Sequence, residues 1–132
     1  MKYEVTLSGG SGGIVKQKSF AFAVRVVRLC QYLQRERKEW VISGQLVRAG
    51  TSIGANVREA YNAESTPDFL HKLGVAQKEC DESLYWLELL HATDYLSEKE
   101  FHSIQSDNTE LLKIIRSIIL TKKKGSKSNQ GK

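Results

Sequence analysis

Lys18, Arg25, Arg28, Tyr32 and Arg35 recur at steps of about seven, three and four, the spacing that lines side chains along one face of a helix. The chemistry of such a stripe is anion recognition. Each arginine offers a planar fork of N–H donors to a phosphate, and Tyr32 offers a ring on which a base could stack. The same stripe also reads as an ordinary solvated helix face. Two acidic sets invite a different chemistry. Glu79, Asp81 and Glu82 could suggest a paired general acid and base, but residues this close in sequence point to different faces and no nucleophile motif accompanies them. Glu88 and His91 form one Glu-x-x-His pair, whereas a di-iron bundle needs two such pairs and two further glutamates. His71 and His102 have no cysteine or carboxylate at a spacing that would complete a metal site. Neither a catalytic residue, a metal nor a cofactor is expected.

The charge is divided along the chain. Residues 1–60 carry a net +6, residues 61–121 a net −6, and residues 122–132 a net +5 from five lysines. A basic front half could bind anions, or it could meet the acidic half of a neighbouring copy in a ring. The 132 residues suit one domain with its own core. No apolar run approaches a bilayer span, and the first residues lack the apolar stretch and cleavage pattern of a secretion signal. A cytoplasmic location without membrane contact is expected. Cys30 and Cys80 fall inside helical patterns, which fits reduced, buried thiols better than a disulfide.

Four amphipathic helices account for the body over residues 14–121. The first carries Phe20, Ala23, Val24, Val27, Cys30 and Leu33 on one side, with Val26 and Leu29 widening the arc. The second begins near Glu39 and runs to about Asn62. Ser65 and Thr66 then precede Pro67, the order of a cap residue and a first-turn proline, so a third helix starts there. Ser97 followed by Glu100 makes a capping box for the fourth, whose seam is Phe101, Ile104, Asn108, Leu111, Ile115 and Ile118. The short connections predict an all-α, antiparallel, up-down-up-down four-helix bundle. Residues 1–13, with the run GGSGG, read as a flexible arm. They do not make a phosphate-binding loop, because Ile14 and Val15 stand between the glycines and Lys16. Residues 122–132 have nothing apolar to bury and read as a disordered basic tail.

The second helix is the most constrained in composition. Gly44, Gly50 and Gly54 each weaken an exposed helix by about 1 kcal/mol relative to alanine, and close packing of another helix would compensate. Gly50, Ser52, Ile53, Gly54, Asn56 and Glu59 are therefore assigned to helix packing. Asn56 and Glu59 are expected in a buried polar network that fixes register.

The motif QLVRAGTSIGANVREA over residues 45–60, followed by DFLHKLGVAQKECDESLYWLELL, resembles a family of small bacterial four-helix-bundle proteins. They are named after the 23S ribosomal RNA intervening sequences in which some are encoded. Gln45-Leu46, Arg48-Ala49, Ser52-Ile53, Ala55-Asn56 and Glu59 match the family pattern, and the likeness extends over residues 14–121. Ala60-Tyr61 departs from it, standing where a glycine usually follows the glutamate. The resemblance implies an antiparallel bundle that assembles as a homopentameric ring. It also implies a relationship to the accessory variability determinant of diversity-generating retroelements, which resembles a basic pentamer binding nucleic acid and a reverse transcriptase. It implies no enzyme.

The expectation is a non-enzymatic, oligomeric bundle that binds RNA or DNA through backbone phosphates. Arg25, Arg28, Arg35, Arg37, Lys38, Arg48 and Arg58 would supply the folded surface, and Lys122, Lys123 and Lys124 the tail. The alternative is a protein-interaction adaptor whose opposed charges serve self-assembly or a protein partner.

Overall fold

Three of the four helices begin where a side chain satisfies their first unpaired N–H groups, and these caps divide the chain. At Ser65 the hydroxyl accepts from the Asp68 N–H at 3.2 Å, with Pro67 just inside the helix. At Ser97 the capping box closes both ways: the Ser97 N–H donates to Glu100 Oε1 at 2.9 Å, and the Glu100 N–H donates to Ser97 Oγ at 3.1 Å. The helix after Trp40 is capped from one residue further back. The buried Glu39 carboxylate accepts from the N–H groups of Val41, Ile42 and Ser43 at 3.1, 2.9 and 2.7 Å, placing negative charge at the positive end of the helix dipole.

The result, in a computed structural model that describes residues 12–130 with side chains through residue 126, is four helices. They are α1 (Gly13–Arg37), α2 (Val41–Tyr61), α3 (Thr66–Ala92) and α4 (Glu98–Gln130), with no strand among the described residues. Cross-helix contacts give their directions. Cys30 meets Ser43 while Val26 meets Gly50; Arg48 meets Glu79 while Glu59 meets Lys72; His91 meets Glu98 while Cys80 meets Asn108. As one partner's number rises the other's falls, so successive helices run antiparallel. α1 then closes against α4 through Lys18 with Glu110 and Arg25 with Asp107.

The core runs the length of the bundle through Val26, Leu33, Leu46, Ile53, Leu73, Leu87, Leu111 and Ile115, all fully shielded. Each such side chain stabilises the fold by about 1.5–3 kcal/mol over an exposed one. Cys30 and Cys80 are buried free thiols, donating to the carbonyls of Ser43 and Asn108 at 3.3 and 3.4 Å. Loss of solvation first, and then the charge of Glu39 or Asp81, pushes both thiols up to about 12. They are inert protonated core residues.

Three details differ from the sequence reading. α1 buries Val15, Ser19, Phe22, Val26, Cys30 and Leu33, so its inward face is rotated from the Phe20, Ala23, Val24, Val27 arc. The stretch FAFAVRVV is apolar around most of its circumference, and α2 and α4 select the face. The polar network expected at Asn56 and Glu59 is not buried. Asn56 Nδ2 donates locally to the Ser52 carbonyl and hydroxyl at 2.8 and 3.1 Å, and the exposed Glu59 pairs with Lys72 at 3.3 Å. α4 continues through Lys122, Lys123 and Lys124 to Gln130, whereas the expected body stops at residue 121. Lysine is a good helix former, and Ile118 and Ile119 still pack on the core in the turn before. Most of the expected arm, residues 1–11, lies outside the described residues.

The glycines divide as well. A Cβ on Gly50 would sit 2.8 Å from a Val26 methyl, and one on Gly54 would meet the Ser19 carbonyl oxygen at 3.4 Å. Those two, with the fully buried Ile53, hold α2 close to α1. Gly44 faces open space. Gly12 adopts φ 78° with the Tyr61 ring where a side chain would be, a position only glycine fills.

Candidate nucleic-acid interface

The basic stripe of α1 does not stand free, because its faces toward α4 meet acids. Arg25 donates to Asp107 Oδ2 at 2.7 Å, to Ser103 Oγ at 2.6 Å and to the Ser103 carbonyl at 3.2 Å. Lys18 pairs with Glu110 at 2.5 Å. On the opposite flank Arg48 pairs with Glu79 at 3.2 Å and, in closer contact, with Glu82, which also accepts from the Trp86 indole at 3.1 Å. Desolvation pulls the Arg48 guanidinium down, but the Glu79 and Glu82 carboxylates outweigh it and hold the group above its usual value. In the bundle's waist Lys18, Arg25 and Arg48 are thus paired with carboxylates, with side chains 46%, 38% and 51% exposed.

The remaining expected residues, Arg28 apart, separate to the two ends. At one end Arg37 donates to the Asp94 and Tyr95 carbonyls at 3.3 and 3.5 Å and stacks over the Tyr95 ring, so it secures the α3–α4 turn. Arg35 and Lys38 are exposed beside it, Lys38 in the left-handed conformation that ends α1. Glu98 bridges two histidines there, reaching His91 at 3.3 Å and His102 at 3.0 Å, a contact the sequence reading of His102 missed. The three nonetheless form no metal-binding group, and none of three or more His, Cys, Asp or Glu occurs among the described residues. Arg28 is exposed in the middle of α1, lining a shallow groove with Phe20, Ala23, Val24, Val27 and Gln31.

The other end carries a further group of exposed cations. It is built from the start of α1, the end of α2, the start of α3 and the overhanging last turns of α4. Arg58, Lys123 and Lys124 are exposed, and none is paired with a carboxylate among the described residues. Lys16 lies over the Tyr61 ring at 4.9 Å and Lys122 over the Phe69 ring at 5.5 Å. The two rings meet edge to face at 5.2 Å and 87°. They open onto a cleft of about 1010 Å³ between the α2–α3 turn and α4. No sequence pattern pointed to Tyr61 and Phe69, since they are brought together only by the reversal between α2 and α3; the single signal was Tyr61 itself, where the family resemblance leads one to expect a glycine one place earlier.

No helix among the described residues is long and apolar enough to cross a membrane.

Residues 13–117 match the family model of the 23S rRNA-intervening sequence protein, and the chain belongs to that family. Among solved structures it is similar to a protein of unknown function from the S23 ribosomal protein family of Bacteroides thetaiotaomicron. The two share 52% sequence identity and a TM-score of 0.79, over 80% of this chain and 97% of that one. No curated protein matches the chain.

Proposed function

We propose that this member of the 23S rRNA-intervening sequence protein family is a non-enzymatic, cytoplasmic, self-associating bundle that binds RNA or DNA through backbone phosphates. The contacts are made at the end where α4 overhangs. The observation that carries this reading is the contrast in pairing. Lys18, Arg25 and Arg48 each face a carboxylate, while Lys16, Arg58, Lys122, Lys123 and Lys124 have none among the described residues and share one end. Unpaired cations held together are what a polyanion needs, because each neutralised phosphate releases counterions. If five of them meet phosphates, affinity falls by about five hundredfold between roughly 50 and 200 mM salt. Fluorescence anisotropy with labelled RNA and DNA across that range tests the slope. No binding of either at the lower salt would overturn the reading.

A second observation supports assembly. Ala23, Val24 and Val27 line a groove of about 410 Å³ on the outer side of α1, and Trp40 and Val41 are 59% and 79% exposed at the start of α2. A homo-oligomeric ring, a pentamer by resemblance, would cover such surface and multiply the phosphate-binding ends. A resemblance to the retroelement determinant is what suggests a reverse transcriptase or another nucleic-acid-processing protein as partner. If assembly is the whole function, the chain is an adaptor. Light scattering at low and high salt separates the two: an oligomer that survives salt and takes up nucleic acid supports the first, and one that ignores nucleic acid supports the adaptor.

A further inference from the structure

The cleft at the overhanging end is more than a flank of the basic surface. One wall is the α2–α3 turn, with Tyr61, Thr66 and Phe69; the other is α4, with Ile118, Thr121 and Lys122. At about 1010 Å³ it is as large as a generous small-molecule site. Its apolar surface is ring and aliphatic, Lys122 is the one cation and Glu64 the one carboxylate among its lining residues, and Lys16 reaches the Tyr61 ring from beside it. Burial raises the Tyr61 phenol above its usual value, so the ring stays neutral and its hydroxyl stays a donor.

Those features describe a nucleotide rather than a duplex. A planar base matches the aromatic pair, and the phosphates on either side of it match Lys122 and Lys16, which already lie against the two rings. A base in a helix cannot enter a concave site of this kind without leaving its stack, whereas a base in a single strand can. We propose that the cleft between the α2–α3 turn and the end of α4 holds an unpaired nucleotide of single-stranded RNA or DNA, its base against Tyr61 and Phe69 and its phosphates on the neighbouring lysines. This rests on the phosphate-binding reading above and adds to it a preference for unpaired strands.

The probe is a short single-stranded oligonucleotide carrying 2-aminopurine, in ribose and deoxyribose forms, with a duplex of the same length beside it. Binding should change the 2-aminopurine emission as the base stacks on protein. Phe69→Leu should weaken single-strand binding by about tenfold while leaving duplex binding unchanged. Because Phe69 packs against the core, Thr121→Trp serves as an independent variant: Thr121 is exposed on the α4 wall, and the indole fills the cleft without touching the interior. It should produce the same selective loss. Salt-dependent binding that is equal for single strand and duplex, and indifferent to both substitutions, would overturn the cleft proposal and leave the phosphate-binding reading standing. Absence of binding to every probe would overturn both.

Discussion

The two halves of α4 are opposites. In the first half each acid has a counterpart: Ser97 and Glu100 close a capping box, Glu98 holds two histidines, Asp107 and Glu110 answer Arg25 and Lys18. Asn108, fully buried, donates to the Cys80 carbonyl at 3.2 Å while its own carbonyl accepts the Cys80 thiol. In the second half Lys122 rests on an aromatic ring and Lys123 and Lys124 face water. The difference teaches that net charge along a sequence is a poor guide to the charge a fold presents. Helix pairing sets Lys18, Arg25 and Arg48 against acids of α3 and α4, and part of the surplus that survives lies where α4 outruns the other helices.

The sharpest way to break this comparison is to reverse the surplus. Replacing Lys122, Lys123 and Lys124 by glutamate together should lower affinity for nucleic acid by about a hundredfold or more at low salt, read by anisotropy, with thermal stability little changed. Unchanged binding would show that the second half of α4 is not the interface. The first half should answer to a stability measurement instead. Asn108→Ala removes a buried amide and leaves its partners on α3 without it, at a cost of about 2–3 kcal/mol, read by urea unfolding at constant slope.

Much of this architecture was legible from local signals. Ser65 before Pro67 and Ser97 before Glu100 are short patterns whose geometry is decided within one turn, and both caps form as those patterns require. What depends on other helices was harder to read. The inward face of α1 could not be phased from FAFAVRVV, because apolar residues cover most of its turn, and the pairing of Arg25 with Asp107 spans 82 positions. The Glu39 cap left a faint trace, an acid just ahead of a helix start. For Tyr61 and Phe69 the one trace was the departure from the family pattern at Ala60-Tyr61, since their edge-to-face contact exists only after the chain has turned.

Charge in the waist should matter little to either property. Arg25→Gln breaks the pair with Asp107, yet both side chains remain about half exposed to water, 38% and 53%, and exposed pairs contribute under about 1 kcal/mol. Stability should fall by less than that amount and nucleic-acid affinity should stay within about twofold. A tenfold loss of affinity would mean that Arg25 leaves Asp107 for a phosphate on binding, and the boundary between the two halves would have to move.

The smallest effect lies at the capping box, and pH isolates it. The Ser97 N–H, then the Ser97 hydroxyl, and more weakly Arg37, hold the Glu100 carboxyl below its ordinary value of 4.5. A carboxyl lowered by folding stabilises the native state fully above its unfolded value, and that contribution disappears as pH falls through the lower, folded value. Glu100→Gln keeps an oxygen that accepts from Ser97 but cannot titrate, and glutamine serves in the same box. At neutral pH the substitution should therefore cost only a few tenths of a kcal/mol, the share owed to charge near a helix start. As pH falls from about 4.5 through the lower, folded value the two proteins should converge in unfolding midpoint, because the wild type then loses its charge as well. If the gap between them instead widens as pH falls, Glu100 is not the titrating cap.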